Sequence, residues 1–226
     1  MKKFSLTLVL SLLLFAAKAQ EWTLGPKTAM LISNGVIDGP YSVDQFWTVE
    51  TRPYYSLQFG LNLQWEHVEW FKPYAEVLFS KEGNNYLIYP NNQKEALANP
   101  SLWRKYVRLN LGVNFGGILR NHPKLRIMGG LGFSQGFLVK NQPTHYAEDT
   151  MDYYKPLHDL KFNSYNYSLL FSVSIGWHLG IGWLEFNPRF RQSLNSTFAN
   201  RYLPEDYNRT FEFNISYVFP IGGRKK

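Results

Sequence analysis

Five histidines, His67, His122, His145, His158 and His178, are the first residues to test for chemistry. A metal centre would place such ligands a few residues apart, so that two share one face of a turn or helix. These five are scattered, and no metal site is expected. The chain has no cysteine, which removes thiolate ligands, disulfides and a thiol nucleophile together. Its glycines around Gly130, Gly132 and Gly136 recur at alternate positions, a steric pattern and not a phosphate-cradling loop. No cofactor is expected. A second set of reactive side chains is more orderly. Lys72, Glu76, Arg108, Arg126, Glu185, Arg189 and Glu212 each stand between apolar neighbours, and Arg191 follows Phe190 in the same phase. A lone charge among apolar groups is costly, so these must pair or meet water. A third set lies between Lys140 and Asn163, where Tyr146, Tyr153 and Tyr154 mix with Glu148, Asp149, Asp152 and Asp159. That acidic spacing fits no calcium loop. It suits an exposed loop that could meet a partner.

The elements that must position these groups are strands. Tyr55, Leu57, Phe59, Leu61, Leu63 and Trp65 alternate with Ser56, Gln58, Gly60, Asn62 and Gln64. A two-residue period of this kind is that of a half-buried strand. The period returns over 71–82, 107–115, 125–139, 165–177, 184–191 and 211–219. A first, poorly alternating strand is placed at Thr23 to Ser33. The segments between strands alternate long and short. Asn34 to Thr51, Gly83 to Arg104, Lys140 to Asn163 and Asn195 to Asn208 are long; Glu66 to Trp70, Gly116 to Pro123 and His178 to Gly182 are short. A helical turn is expected within Asn91 to Ala98. One rim of tight turns and one of longer loops is the habit of outer-membrane barrels. The expectation is an all-β, eight-stranded, antiparallel up-and-down transmembrane barrel. Asn91 and Asp152 would face the cell exterior and Asn121 the periplasm.

Composition agrees. Aromatic residues make up 17% of the chain and charged residues 18%, against about a quarter charged in ordinary soluble domains. Lys2, Lys3, the apolar run Phe4 to Ala17 and the small residues of Ala17-Lys18-Ala19 read as a secretory signal peptide over 1–19. The barrel domain would then occupy 20–226. The formal charge of +7 drops to about +4 without that leader. Basic residues are dispersed, and Arg224-Lys225-Lys226 reads as a solvated end, so no nucleic acid is expected as a partner.

Alternation leaves open which face points outward. The non-apolar face decides it, because it is rich in Gly, Ser and Asn and poor in the Lys and Glu of a water-exposed surface. Small residues fit the crowded bore of eight strands. The bulky face then meets outer-membrane lipid, with Trp65, Trp70, Tyr106, Tyr165, Trp177, Trp183, Tyr217 and Phe219 as rim aromatics. The final strand closes on Phe219, the kind of ending the outer-membrane assembly machinery reads. Glu76, Arg108, Arg126, Glu185, Arg189, Arg191 and Glu212 would form a structural charge network inside. If the last hairpin is symmetric about its loop, Arg191 faces Glu212. Tyr74, Arg108, Met128, Leu170, Arg189 and Arg191 would fill the bore and prevent conduction.

Three segments carry a family resemblance. Pro73 to Gly83 is similar to the third strand of the PorT-like outer-membrane β-barrel family of Gram-negative bacteria. Leu125 to Phe137 resembles its glycine-rich fifth strand, and Glu185 to Leu194, with Arg189-Phe190, its seventh. The resemblance implies the fold and an outer-membrane location. The expected role is structural, or binding of an extracellular ligand or envelope protein through the long loops, without enzymatic activity. Two alternatives are a barrel subunit of a secretion or envelope complex and a lipid-modifying enzyme. The enzyme would need a His, a Ser and a carboxylate near the outer rim, and only His145 and His158 fall on that side.

Overall fold

The computed structural model describes residues 22–37, 47–66, 68–90, 101–143, 162–196 and 206–221. The leader at 1–19, the turn expected at 91–98, the tyrosines and acids of 146–159, and His67, His145 and His158 lie outside these residues.

Among the described residues nine strands run in chain order: β1 Trp22–Ile37, β2 Trp47–Arg52, β3 Tyr54–Trp65, β4 Phe71–Pro90, β5 Ser101–Leu119, β6 His122–Pro143, β7 Tyr165–Leu179, β8 Gly182–Ser193 and β9 Asp206–Ile221. β2 and β3 are one stave broken at Pro53, which has no N–H for the ladder. Side chains cover the break: the Asn85 amide donates to the Pro53 carbonyl at 2.7 Å, and the Ser56 hydroxyl donates to the Lys81 carbonyl. Every pairing is antiparallel. β4 pairs β5, and β1 pairs both β3 and β9, so eight staves close into a ring without an edge.

The short connections are the 66–70 turn, Arg120-Asn121 and Gly180-Ile181. Gly180 takes φ +60°, which a two-residue hairpin asks of its first position. The 66–70 turn is tied to β5 by Gly116, whose N–H donates to the Trp70 carbonyl at 3.0 Å and whose φ is +133°. Trp22 and Ile221 pair with each other at this same rim.

The strands reach further toward the long-connection rim than alternation implies. β4 runs to Pro90, where the loop was expected from Gly83, and β5 begins at Ser101. β1 likewise runs to Ile37. Beyond the apolar belt no lipid demands alternation, so these ends, with Asn84, Asn85 and Ser101, carry no periodic signal.

Candidate functional site: the charged bore

The two faces of the barrel differ sharply. Leu57, Phe59 and Leu61 on β3 are 69%, 61% and 54% exposed, while Gln58, Asn62 and Gln64 between them are buried. The same contrast holds around the ring. Val77 and Phe79, Leu109 and Leu111, Leu131, Phe171 and Val173, and Phe211, Phe213 and Ile215 are exposed; the residues buried inside are largely polar. In water that distribution would be inverted, because apolar area buries spontaneously. An apolar belt around a polar core is stable only where the surroundings are hydrocarbon and the closed ladder satisfies every backbone group. The chain is a transmembrane β-barrel of the outer-membrane type.

Inside this barrel the charges sort into three tiers. Nearest the short turns, Glu66 accepts from Arg126 at 2.7 Å and pairs with Lys72 at 3.3 Å. Arg126 also reaches Glu185 at 2.5 Å and stacks over Trp183 with 4.4 Å to the ring centroid. Gln64 and Ser216 donate to the other oxygen of Glu185. Glu66 is in the turn itself. Burial pushes its pKa up, but the Arg126 and Lys72 charges outweigh that and hold it below the ordinary carboxylate range.

At mid-bore, Glu76 receives Arg189 through two bonds of 2.7 and 2.9 Å, Lys27 at 2.6 Å and the Asn110 amide at 2.9 Å. The Arg189 guanidinium lies over the Tyr74 ring. Toward the long loops, Arg108 clamps Glu82 through two 2.6 Å bonds while Ser80 donates to the same carboxylate at 2.8 Å. Arg191 reaches Glu82 at 2.7 Å and Glu212 at 3.3 Å. Glu212 also lies 3.8 Å from Arg189, so it joins the middle tier to the upper one.

All seven charges of the expected network, Glu76, Arg108, Arg126, Glu185, Arg189, Arg191 and Glu212, lie in the bore, as does Lys72. Alternation missed Lys27, Glu66 and Glu82. Lys27 belongs to the poorly alternating first strand, Glu66 to a turn, and Glu82 was the last residue before an assumed loop. Two rim aromatics are corrected. Tyr106 and Trp183 are 4% and 9% exposed and point inward, stacking under Arg108 and Arg126. Tyr106 shares its parity with Arg108, so its face was readable from the spacing. The symmetric last hairpin is corrected as well: Glu212 stands opposite Arg189, and Arg191 stands opposite Thr210.

Glycines shape the space. A Cβ on Gly136 would lie 2.8 Å from Nη1 of Arg108, and one on Gly176 would lie 2.8 Å from Cγ of Arg126. One on Gly132 would lie 2.6 Å from the Tyr74 hydroxyl. Each of these glycines lies beside a long side chain that occupies the bore. Of the histidines described, His122 and His178 are both exposed at the short-turn rim, and His178 packs edge-on against Trp183. No group of three or more metal-ligating side chains occurs among the described residues.

No known protein family matches the sequence, and neither does any curated protein. Among solved structures the barrel is similar to OprG of Pseudomonas aeruginosa, at 10% identity and a TM-score of 0.46, covering 90% of this chain and 98% of that one. The outer-membrane protein AlkL matches at 12% identity and a TM-score of 0.46, with 92% and 93% covered. Ail, the attachment invasion locus protein of Yersinia pestis, matches at 14% and 0.41, with 88% and 99% covered.

Proposed function

We propose that this chain is a non-conducting outer-membrane barrel, a rigid frame that presents its long loops to a ligand or envelope partner outside the cell. The observation that carries this reading is the three-tier ion-pair ladder. Arg189 and Arg191 reach from β8 across the bore to carboxylates of β4, Arg126 reaches Glu185 two staves away, and Arg108 is committed to Glu82 on the neighbouring β4, so every tier is filled by an arginine held on a carboxylate. An eight-stranded barrel has room for side chains and little else, whereas open channels take about 16 strands. The kinship to PorT-like barrels, carried by Pro73–Gly83, Leu125–Phe137 and Glu185–Leu194, belongs to the same proposal. It admits a place in a secretion or envelope complex. Catalysis forms no part of this proposal.

The test is electrical. The refolded protein in a planar bilayer is expected to give no stable conductance steps. Reproducible steps that vanish when the barrel is unfolded would show an open bore and sink the proposal.

A further inference from the structure

On the outer surface, β4, β5 and β6 carry three lysines in one rung. Lys81 stands directly opposite Lys105, and Lys105 directly opposite Lys140. The rung below is apolar throughout, Phe79 opposite Val107 and Val107 opposite Phe137. The lysines therefore begin where the hydrocarbon belt ends, on the long-loop side.

Like charges placed directly across a ladder repel, so two such pairs in a row are unfavourable unless an anion joins them. No carboxylate among the described residues lies within ion-pair distance of any of the three. Two further features hold the row together. The β5–β6 register shifts between Lys105 and Tyr106, so that Leu138 faces Tyr106 while Lys140 faces Lys105. Without that bulge at Val139, strict alternation would turn Lys140 to the bore side along with Leu138; the extra residue re-aims it outward. Trp103, one rung nearer the loops, takes the Lys81 amine 4.6 Å and the Lys105 amine 5.5 Å from its ring centroid. Tyr54 takes the Lys81 amine at 5.5 Å. Cation–π contacts of this kind draw both ammonium groups away from the hydrocarbon and toward headgroup level.

We propose that Lys81, Lys105 and Lys140 form a docking row for the phosphate of a phosphorylated lipid headgroup in the leaflet on the long-loop side. A phosphate supplies divalent negative charge and several acceptor oxygens, enough to bridge neighbouring ammonium groups. The Phe79–Val107–Phe137 rung below receives the acyl chains of the same molecule. This inference rests on the reading of the chain as a folded membrane barrel with that rim outward.

The probe is bis-phosphorylated lipid A in zwitterionic nanodiscs holding the full-length protein, compared with the same lipid stripped of phosphate. Retained lipid is counted by native mass spectrometry. Retention is expected to need the phosphates and to fall about fivefold for each lysine changed to glutamine in K81Q, K105Q and K140Q. Lys124→Gln, at the opposite rim, is expected to leave retention unchanged. Equal retention of the stripped lipid, or full retention in the triple variant, would overturn the row. Displacement of the lipid by millimolar inorganic phosphate would equally overturn a lipid assignment. Heat-shifted electrophoretic mobility, run on every sample, reports the folded barrel separately. A lost mobility shift in the wild type would count against the barrel reading, whereas lost phosphate dependence with the shift intact counts against the row alone.

Discussion

Arg189 of β8 and Glu212 of β9 face each other directly across the ladder, yet the Arg189 guanidinium is committed to Glu76 on β4, across the bore. It holds Glu76 at 2.7 and 2.9 Å and reaches Glu212 only at 3.8 Å. The neighbour in register is thus the weaker partner. Glu212 is left to share itself with Arg191, and a local hairpin pair becomes a strut between distant staves.

Glu76 is the anion on which that strut depends. Glu76→Gln keeps the shape and leaves Lys27 and Arg189 buried without their counter-charge. It is expected to destabilise the barrel by about 3 kcal/mol, the usual consequence of removing one partner from a buried pair. Urea unfolding in lipid vesicles measures this, and a change within experimental error would mean the middle tier contributes nothing to stability.

Two glycines on the adjacent strands β6 and β7 give a sharper contrast of face. Gly129 points outward, and a Cβ there meets nothing within 4 Å; Gly176 on β7 points inward against Arg126. Gly176→Ala is expected to cost about 1–3 kcal/mol through overpacking. Gly129→Ala is expected to stay within about 0.5 kcal/mol of the parent. Equal effects in thermal unfolding would contradict the stacking of Arg126 over that glycine.

Much of this was readable from residue order. Leu57 and Gln58, or Leu109 and Arg108, declare opposite faces because lipid on one side and a tight bore on the other select different side chains at every step. Reading failed where one of those selections is missing. Lys27 follows Gly25 and Pro26, which blur the period of β1. Glu82 lies above the lipid belt, where outward residues no longer have to be apolar. Glu66 sits in a turn with no period at all. Trp183 was placed by aromatic type at a strand end, although it shares its parity with Glu185 and its inward face was readable from the spacing. The register of β8 on β9 depends on a loop whose shape no spacing specifies.

Glu66 gives the acid response. Its pKa is held low in the folded barrel by Arg126 and Lys72. A depressed folded pKa means the unfolded chain binds the proton more readily. The stability it confers is therefore complete above the unfolded value, about 4.3. It is lost as pH falls from there through the folded value. Glu66→Gln is expected to flatten the acid limb of stability against pH. An unaltered slope below pH 5 would assign acid sensitivity to other carboxylates.

Orientation is tested with single cysteines, since the chain has none of its own. Asn91→Cys and Asp152→Cys are expected to react with an impermeant maleimide on intact cells, and Asn121→Cys only after lysis. Labelling of position 121 alone on intact cells would turn the barrel over.

The pairing of Trp22 with Ile221 has a consequence for assembly. Seven seams of the ring join staves adjacent along the chain, and the eighth joins its two far ends. Until that seam forms, β1 and β9 each present a bare row of N–H and C=O groups, which hydrocarbon penalises by several kcal/mol per group. A partly zipped sheet therefore has no comfortable resting place within a bilayer. The final seam is the most non-local contact in the molecule, and insertion and closure become a single all-or-none event.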